Sequence, residues 1–157
     1  MPKQRKRIAL SDDEVWAFIA GQRDMHTATI NKDGTPHLTT NWFALPNERQ
    51  IAFNSYEGSQ KVVNLRRDPR ITLLFADGEM YGELRGASIK GRVRFVDDPD
   101  ENLKVLQAIT ERNAAQQEQR LTGNATPEKV VPKRTCMIVE IDRVISWDHR
   151  KLAENKS

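Results

Sequence analysis

The chain has 157 residues, of which 38% are hydrophobic and 30% are charged, and its formal net charge is +3. This length and composition fit one soluble globular domain with a core of its own. No apolar run approaches the ~20 residues that a membrane-spanning helix needs, and no signal-type segment follows the N-terminus, so we expect a cytoplasmic protein that does not bind membranes.

The positive charge is concentrated at the N-terminus. Four basic side chains lie within the first seven residues, namely Lys3, Arg5, Lys6 and Arg7, so the rest of the chain has a formal charge of −1. We predict a basic flexible segment over residues 1–10, followed by a single domain over residues 11–157. The body lacks the charge pattern of a dedicated nucleic-acid-binding protein, so nucleic acid is not the expected partner.

The first elements are predicted from local signals. Ser11-Asp12-Asp13-Glu14 is a capping box, and the apolar residues after it recur at helical spacing, which predicts a helix over about residues 12–21. A strand over residues 25–30 follows. Asp33-Gly34 then forms a tight turn into a strand from residue 37 to about residue 45.

A third strand is predicted over residues 50–55, after a turn at Pro46-Asn47-Glu48. Three consecutive strands joined by tight turns predict an antiparallel meander. The next helix begins near Gly58 and ends before Asp68-Pro69, because a residue that precedes proline avoids the helical conformation. Residues 71–75 then form a strand that closes at a turn.

The second half of the chain predicts a long strand over residues 81–96, with Gly86 and Gly91 marking bulges. A helix then begins at Asp98-Pro99. Three of its apolar residues are expected to face the core: Leu103, Leu106 and Ile109.

Residues 114–126 are polar and predict a mobile loop or a frayed helix end. Residues 136–141 and 144–147 form two final strands, and Cys136 is expected to be a buried small hydrophobe. The whole pattern predicts a mainly β (α+β) fold, a six- to seven-stranded antiparallel split β-barrel with flanking helices.

The run 54–61, Asn-Ser-Tyr-Glu-Gly-Ser-Gln-Lys, lies between a predicted strand and a predicted helix. Hydroxyl groups, the first N–H groups of the helix and the Lys61 ammonium can all donate hydrogen bonds to one anion there, and the helix dipole adds to the attraction. The run therefore predicts a phosphate site. A polar loop with a solvated lysine is the alternative, because an isolated Gly-Ser-x-Lys is a weak motif.

Several segments occur in an order that is typical of one family. They are Asp33-Gly34-Thr35-Pro36-His37, Trp42-Phe43, residues 51–55 and residues 58–70. On these segments the chain resembles the flavin-binding split-barrel superfamily that contains pyridoxamine 5′-phosphate oxidase. The closing segment, residues 146–152, is similar to that of the branch that uses a deazaflavin, coenzyme F420.

The resemblance implies a homodimer with two cofactor sites at the subunit interface. It implies that Asn54 and Ser55 contact the phosphate or the ring edge and that Lys61 contacts the phosphate. The full set of cofactor-binding residues that it implies is Thr39, Thr40, Asn41, Trp42, Asn54, Ser55, Ser59, Gln60 and Lys61.

Three positions depart from the oxidase pattern. Pyridoxamine 5′-phosphate oxidases have basic residues where this chain has Thr39, Ala44 and Gln60. The loss of three positive charges disfavours FMN bound as in the oxidases, and it disfavours pyridoxamine phosphate as a substrate. We therefore expect coenzyme F420, with FMN as the alternative, in an oxidoreductase that transfers hydride between reduced F420 and an unsaturated small molecule.

No catalytic residue is predicted, because the sequence has no paired-carboxylate motif, no Ser-His-Asp motif and no His/Cys spacing for a metal. His37, beside the expected ring site, is the one histidine that we would test as an acid. Arg66, Arg67 and Arg70 either attract an acidic cofactor tail or serve the helix dipole and solubility. Trp42 and Trp147 either pack or stack on the ring.

Three other functions stay open at this stage. The chain could be an FMN-dependent enzyme of the same fold, or a non-catalytic protein that stores a flavin or haem. The basic N-terminus could also bind nucleic acid, in which case the affinity would depend strongly on salt.

Overall fold

The computed structural model describes residues 2–114 and 134–154, and within these ranges it has six strands and five α-helices. In chain order the elements are α1 (Pro2–Ile8), α2 (Asp12–Ala20), β1 (Met25–Ile30), β2 (Pro36–Asn41), β3 (Ile51–Tyr56), α3 (Gln60–Arg67), β4 (Arg70–Asp77), a 3₁₀ turn (Tyr81–Glu83), β5 (Arg85–Phe95), α4 (Pro99–Arg112), β6 (Arg134–Asp148) and α5 (Lys151–Glu154).

All six strands belong to one antiparallel sheet in the order β2-β1-β4-β5-β6-β3. The sheet curls so that the chain after β2 meets β3 at the opposite edge. Ala44 and Ala52 exchange two backbone hydrogen bonds there, of 2.8 and 2.9 Å. The predicted split barrel with flanking helices is confirmed.

The predicted meander of three strands is wrong beyond its first hairpin. β1 and β2 pair as expected around Gly34, whose φ is +85°, but β3 pairs with β6 and not with β2. β2 ends at Asn41, short of the predicted boundary at residue 45. Phe43 and Ala44 are both buried, in different hydrophobic clusters, and two successive buried residues break the alternation that an edge strand needs.

The last two predicted strands are one strand, β6, which pairs with β5 along most of its length. The register shifts at Lys90 and Gly91, and Asp142 has no opposing residue on β5. This bulge confirms the role predicted for Gly91, because a Cβ there would lie 2.2 Å from the carbonyl oxygen of Glu140. β5 begins at Arg85, and the first residues of the predicted long strand form the 3₁₀ turn instead.

Two hydrophobic clusters form the core. The larger one lies inside the curled sheet and is covered by α2 and α3, with the fully buried Phe43, Phe53 and Phe75 at its centre. The predicted helix α2 is confirmed together with its capping box, in which the Ser11 N–H donates to Glu14 Oε2 at 2.6 Å.

The smaller cluster lies between α4 and the other face of β3 and β6, and it contains the buried Cys136. The predicted core stripe of α4 is wrong at Leu103, which is 53% exposed. Ile109 is buried as predicted, Leu106 is partly buried against the cluster, and Val105 is buried as well. Residues two positions apart on a helix are separated by about 200° of rotation, so Leu103 and Val105 face opposite sides of α4.

The first and last described helices contact each other. Helix α1, where a flexible segment was expected, contacts α5 and β6, and Lys151 Nζ donates to the carbonyl of Ala9 at 3.0 Å. The Trp147 ring covers Gly86 on the neighbouring strand, since a Cβ at Gly86 would lie 2.3 Å from the ring. The loop expected over residues 114–126 falls almost wholly outside the described residues. In the described ranges, no helix combines the length and the apolar character needed to cross a membrane.

Replacing Gly91 with Ala should lower the free energy of unfolding by about 1–3 kcal/mol, the cost of overpacking a close backbone contact. Gly82→Ala is the matched control, because a Cβ at Gly82 has no atom within 4 Å and should change stability by less than about 0.5 kcal/mol. Urea unfolding of both variants measures the difference. Equal stabilities of the two variants would contradict the crowding at the bulge.

Candidate functional site

The start of α3 presents several donors beside the end of β3. Ser59 is the N-cap residue, and its side chain makes no capping hydrogen bond to the helix. Its Oγ lies 3.0 Å from the Oγ of Ser55, which is 6% exposed. The first N–H groups of a helix have no partner within the helix, and they favour an anion there. Ser55 and Ser59, both predicted from sequence, therefore lie together.

Lys61 lies in the first turn of the same helix and is only partly exposed. Burial lowers the pKa of its ammonium, and the positive charge of Arg134 lowers this pKa further. Lys61 takes part in none of the ion pairs among the described residues. A partly buried cation without a counter-ion favours the binding of an anion.

Arg134, the first residue of β6, brings a second cation that the sequence analysis missed. Its Nη1 donates to Asn54 Oδ1 at 2.9 Å, and its guanidinium lies 4.3 Å from the centroid of the Tyr56 ring. The contact follows from the pairing of Tyr56 with Arg134, which are far apart in sequence. No local motif indicates such a pair, and only the strand order could have revealed it.

Gln60 is tied into a hydrogen-bond network that joins α3 to β1. Its Nε2 donates to Asn64 Oδ1 at 2.9 Å, and the fully buried Asn64 donates to Thr29 Oγ1 at 3.1 Å and to Asn31 Oδ1 at 3.0 Å. The network fixes the position of the helix start relative to the β1–β2 hairpin. Gln60 was predicted from the sequence because it replaces a basic residue of the oxidases, whereas no local pattern indicated Asn64.

The four residues predicted on the ring-bearing strand do not share one face. Thr39 and Asn41 lie opposite Thr27 and Met25, so they belong to the inner face of the sheet. The Thr39 hydroxyl donates to Asn41 Oδ1 at 3.2 Å. Thr40 points to the other face. There its Oγ1 forms a hydrogen bond of 3.1 Å with Nδ1 of His26.

The remaining predicted residues also have definite places. Trp42 follows β2 directly and is half-buried. His37 is half-buried and lies opposite Thr29, on the inner face with Thr39. Thr29, on β1, accepts a hydrogen bond from Asn64 of α3, so the inner face of the β1–β2 hairpin is connected to this helix. Within the described ranges, no group of three His, Cys, Asp or Glu residues is placed to hold a metal ion.

The three arginines considered for an acidic tail all have partners within the chain. Arg66 pairs with Glu57 at 2.8 Å and lies over the Phe95 ring. Arg67 donates to the carbonyl of Ile30. Arg70 pairs with Asp68 at 2.6 Å, and its hydrogen bond lowers the pKa of that carboxyl to about 2. These contacts favour a structural role for the three arginines.

An open groove of about 970 Å³ lies elsewhere, between α2 and the loop that follows β2. Trp16, Leu45, Pro46 and Arg49 are among its lining residues. None of the predicted cofactor-binding residues lines it. The donors around Lys61 are therefore separate from this groove.

Comparisons with known proteins identify the family and agree with the fold. A family profile described as pyridoxamine 5′-phosphate oxidase matches residues 11–148. No curated protein sequence matches the chain. Among solved structures, a conserved hypothetical protein from Mycobacterium tuberculosis is 37% identical with a TM-score of 0.79, and the match covers 94% of this chain and 90% of that one.

Two more distant structures share the fold. A protein described as an F420 reductase is 20% identical with a TM-score of 0.63, and the match covers 82% of this chain and 93% of that one. A FAD-binding protein from Mesorhizobium loti is 17% identical with a TM-score of 0.67, and the match covers 88% and 94% of the two chains. At this identity the likeness concerns the fold alone.

Replacing Lys61 with Met should raise the free energy of unfolding of the ligand-free protein at neutral pH. The substitution removes an ammonium that burial and Arg134 disfavour, while it keeps a side chain of similar length. Thermal or urea unfolding measures the change, and Lys90→Met, at an exposed position on β5, is the control.

The pH dependence gives the same test a sign. In the folded protein Lys61 loses its proton below the ordinary pKa of 10.5, so the unfolded chain binds more protons in this window. The stability of the wild type should then rise with pH relative to Lys61→Met, and the gap between them should close. A gap that is constant from neutral pH to pH values above 10.5 would contradict the lowered pKa.

Proposed function

The chain belongs to the pyridoxamine 5′-phosphate oxidase family, and on that premise we propose that it is an oxidoreductase whose cofactor is the deazaflavin coenzyme F420. In this proposal, hydride passes between reduced F420 and an unsaturated small-molecule substrate. The observation that carries the proposal is the group of donors at the start of α3. It combines Ser55, Ser59 and the partly buried ammonium of Lys61, which has no ion-pair partner among the described residues.

These donors fit the phosphate of a flavin-type cofactor. A phosphate oxygen at the helix start would accept from the Lys61 ammonium, from the first-turn N–H groups and from a serine hydroxyl. It would also supply the counter-ion that Lys61 lacks among the described residues. The free energy that burial of the ammonium costs in the ligand-free protein is then recovered on binding.

Two observations support the deazaflavin over FMN held as in the oxidases. Ala44 is 1% exposed and forms the backbone bridge to Ala52, so this position has no room for a basic side chain that reaches a ligand. Gln60 is uncharged and is bonded to Asn64. This chain therefore keeps the fold of the family, but at Ala44 and Gln60 it has uncharged residues with structural contacts where the oxidases have cations.

When bound, the deazaflavin supplies the hydride chemistry, and the chain supplies binding and orientation. Thr39 and Asn41, on the inner face of β2, would hold the polar edge of the ring. The Gln60–Asn64–Thr29 hydrogen bonds keep this edge at a fixed distance from the phosphate position. A proton for the substrate would come from water or from His37, which lies on the same face as Thr39.

A homodimer with the cofactor at its interface is part of the proposal. The elements that carry the site also carry exposed apolar side chains in the single chain: Leu38 on β2 is 69% exposed, Tyr56 on β3 53% and Val63 on α3 49%. A second copy that covered these residues would also exclude water from the ring, and exclusion of water strengthens the electrostatic interactions of the site.

Titration of the purified protein with F420 and with FMN, followed by fluorescence, tests the proposal. We expect F420 to bind with a Kd below about 100 μM, a free energy near −5.5 kcal/mol, and more tightly than FMN. Tighter binding of FMN would favour the FMN-dependent alternative. Binding of F420 without turnover on any acceptor would favour a storage protein. Failure of both cofactors to bind would refute the enzyme assignment.

Lys61→Ala should weaken the binding of either cofactor by about 1.5–3 kcal/mol, the scale of a hydrogen bond to a charged group. Lys90→Ala provides the control, because Lys90 is an exposed lysine on the sheet surface. The same fluorescence titration measures both variants. An affinity that Lys61→Ala leaves unchanged would show that the phosphate binds elsewhere.

A further inference from the structure

Helix α3 carries a polar side chain on its buried face. Asn64 is fully buried, among the buried apolar residues Val62 and Leu65 of the same helix. Asparagine is mostly an exposed residue in proteins, and it has a low preference for the interior of a helix. An apolar residue at this position would satisfy both preferences, so the packing of α3 alone does not explain Asn64.

The carboxamide of Asn64 has all of its hydrogen-bonding positions filled. Its Nδ2 donates one hydrogen to Thr29 and the other to Asn31. Its Oδ1 accepts from Gln60 Nε2 and, at the longer distance of 3.5 Å, from Arg67 Nη2. These bonds use both donors and both acceptor positions of an asparagine side chain. A ligand cannot reach a fully buried side chain, so Asn64 can influence binding only through its partners.

The partners of Asn64 belong to two separate parts of the proposed cofactor site. Gln60 is the first residue of α3, where the phosphate donors lie. Thr29 lies on β1, which pairs with β2 from end to end. Asn31 leads into the hairpin turn, where its Nδ2 donates to Thr35 Oγ1 at 3.1 Å. Asn64 therefore joins the start of α3 to the hairpin that contains β2, the strand proposed to hold the ring edge.

A cofactor that has a ring and a phosphate in one molecule binds at both positions at once. When the two positions are held at the spacing of the ligand, the second contact forms with little further loss of freedom. The intact ligand then binds far more tightly than either part alone. When the spacing varies, this gain falls although each position still binds its own part. The gain is thus the quantity that a residue between the two positions controls.

We propose that Asn64 is a positioning residue that sets the distance between the phosphate position at the start of α3 and the ring position on β2. It makes the site selective for a ligand in which the ring and the phosphate are joined by a linker of matching length, over either part alone. The inference rests on the proposed function and specifies how the same site recognises an intact cofactor.

Thr29→Val and Thr27→Val form a matched pair of variants for the test. Valine has the shape of threonine without the hydroxyl group, and both residues are buried on the inner face of β1. The Thr29 hydroxyl accepts from Asn64, whereas the Thr27 hydroxyl has no hydrogen-bond partner within residues 2–114 and 134–154. Thr27→Val therefore controls for the loss of a buried hydroxyl. Asn64→Ala, which removes the whole network, is the second test variant.

Each variant is titrated with F420, with the deazaflavin riboside that lacks the phosphate, and with orthophosphate. We expect Thr29→Val and Asn64→Ala to weaken F420 binding about 10- to 100-fold, the scale for a misplacement of about 1 Å. The affinities for the riboside and for orthophosphate should change less than about 3-fold, because each position stays intact. Thr27→Val should match the wild type for all three ligands. If FMN binds in place of F420, FMN and riboflavin serve as the intact and the truncated ligand.

The outcomes separate this inference from the proposed function. Unchanged affinity for the intact cofactor in Thr29→Val and Asn64→Ala would overturn the inference and leave the proposed function intact. Equal weakening of all three ligands would also overturn it, because the network would then maintain each position and not their spacing. The inference fails as well if Thr27→Val weakens the intact cofactor as much as Thr29→Val. A wild-type protein that bound neither F420 nor FMN would refute the proposed function instead.

A ligand-free measurement tests the connection in that last case. Hydrogen exchange of the backbone amides in α3 reports how often the helix separates from the sheet. Thr29→Val should speed exchange in α3 about 5- to 10-fold, the range for the loss of one neutral hydrogen bond, and should leave exchange in α2 unchanged. Thr27→Val should leave both helices unchanged. Equal exchange in α3 of the two variants would overturn the connection between Asn64 and the hairpin.

Discussion

The site depends on the pairing of β6 with two strands at once. β6 pairs with β5 over most of its length, and its first six residues also pair with β3. This pairing places Arg134 beside Asn54 and Tyr56 and close enough to Lys61 to influence its pKa. The bulge at Gly91 allows the long strand to bend around the core while it keeps both partners.

The cations that favour anion binding lower the stability of the ligand-free protein. Two cations with incomplete solvation and no described carboxylate partner oppose folding, while a network of neutral hydrogen bonds centred on Asn64 fixes the helix that carries one of them. Each such neutral bond contributes about 1 kcal/mol, and hydrogen bonds to charged groups about 1.5–3 kcal/mol. A bound oxyanion would give these charged donors an acceptor, so their unfavourable contribution to stability would become a favourable contribution to binding. Because the donors are already held in place, little conformational entropy is lost when the anion binds.

Local signals in the sequence predicted the parts of the site that are contiguous in the chain. The capping box at Ser11, the hairpin at Gly34 and the helix after Ser59 each depend on a few neighbouring residues, and all are present. The β3–β6 pair joins residues about eighty positions apart, so no turn signal in the sequence predicts it. The position of Arg134 beside Asn54 and Tyr56 was therefore not predicted. Leu103 was assigned to the core because apolar spacing alone cannot show which stripe of α4 meets the sheet.

Lys61 is a partly desolvated cation, and proton uptake on ligand binding tests most directly whether an anion binds beside it. Calorimetric titration of the protein with its cofactor, in alkaline buffers of different ionisation enthalpy, measures this uptake. A bound phosphate should raise the lowered pKa of Lys61, so the wild type should take up protons that the Lys61→Met variant does not. Equal proton uptake by the two proteins would contradict the account.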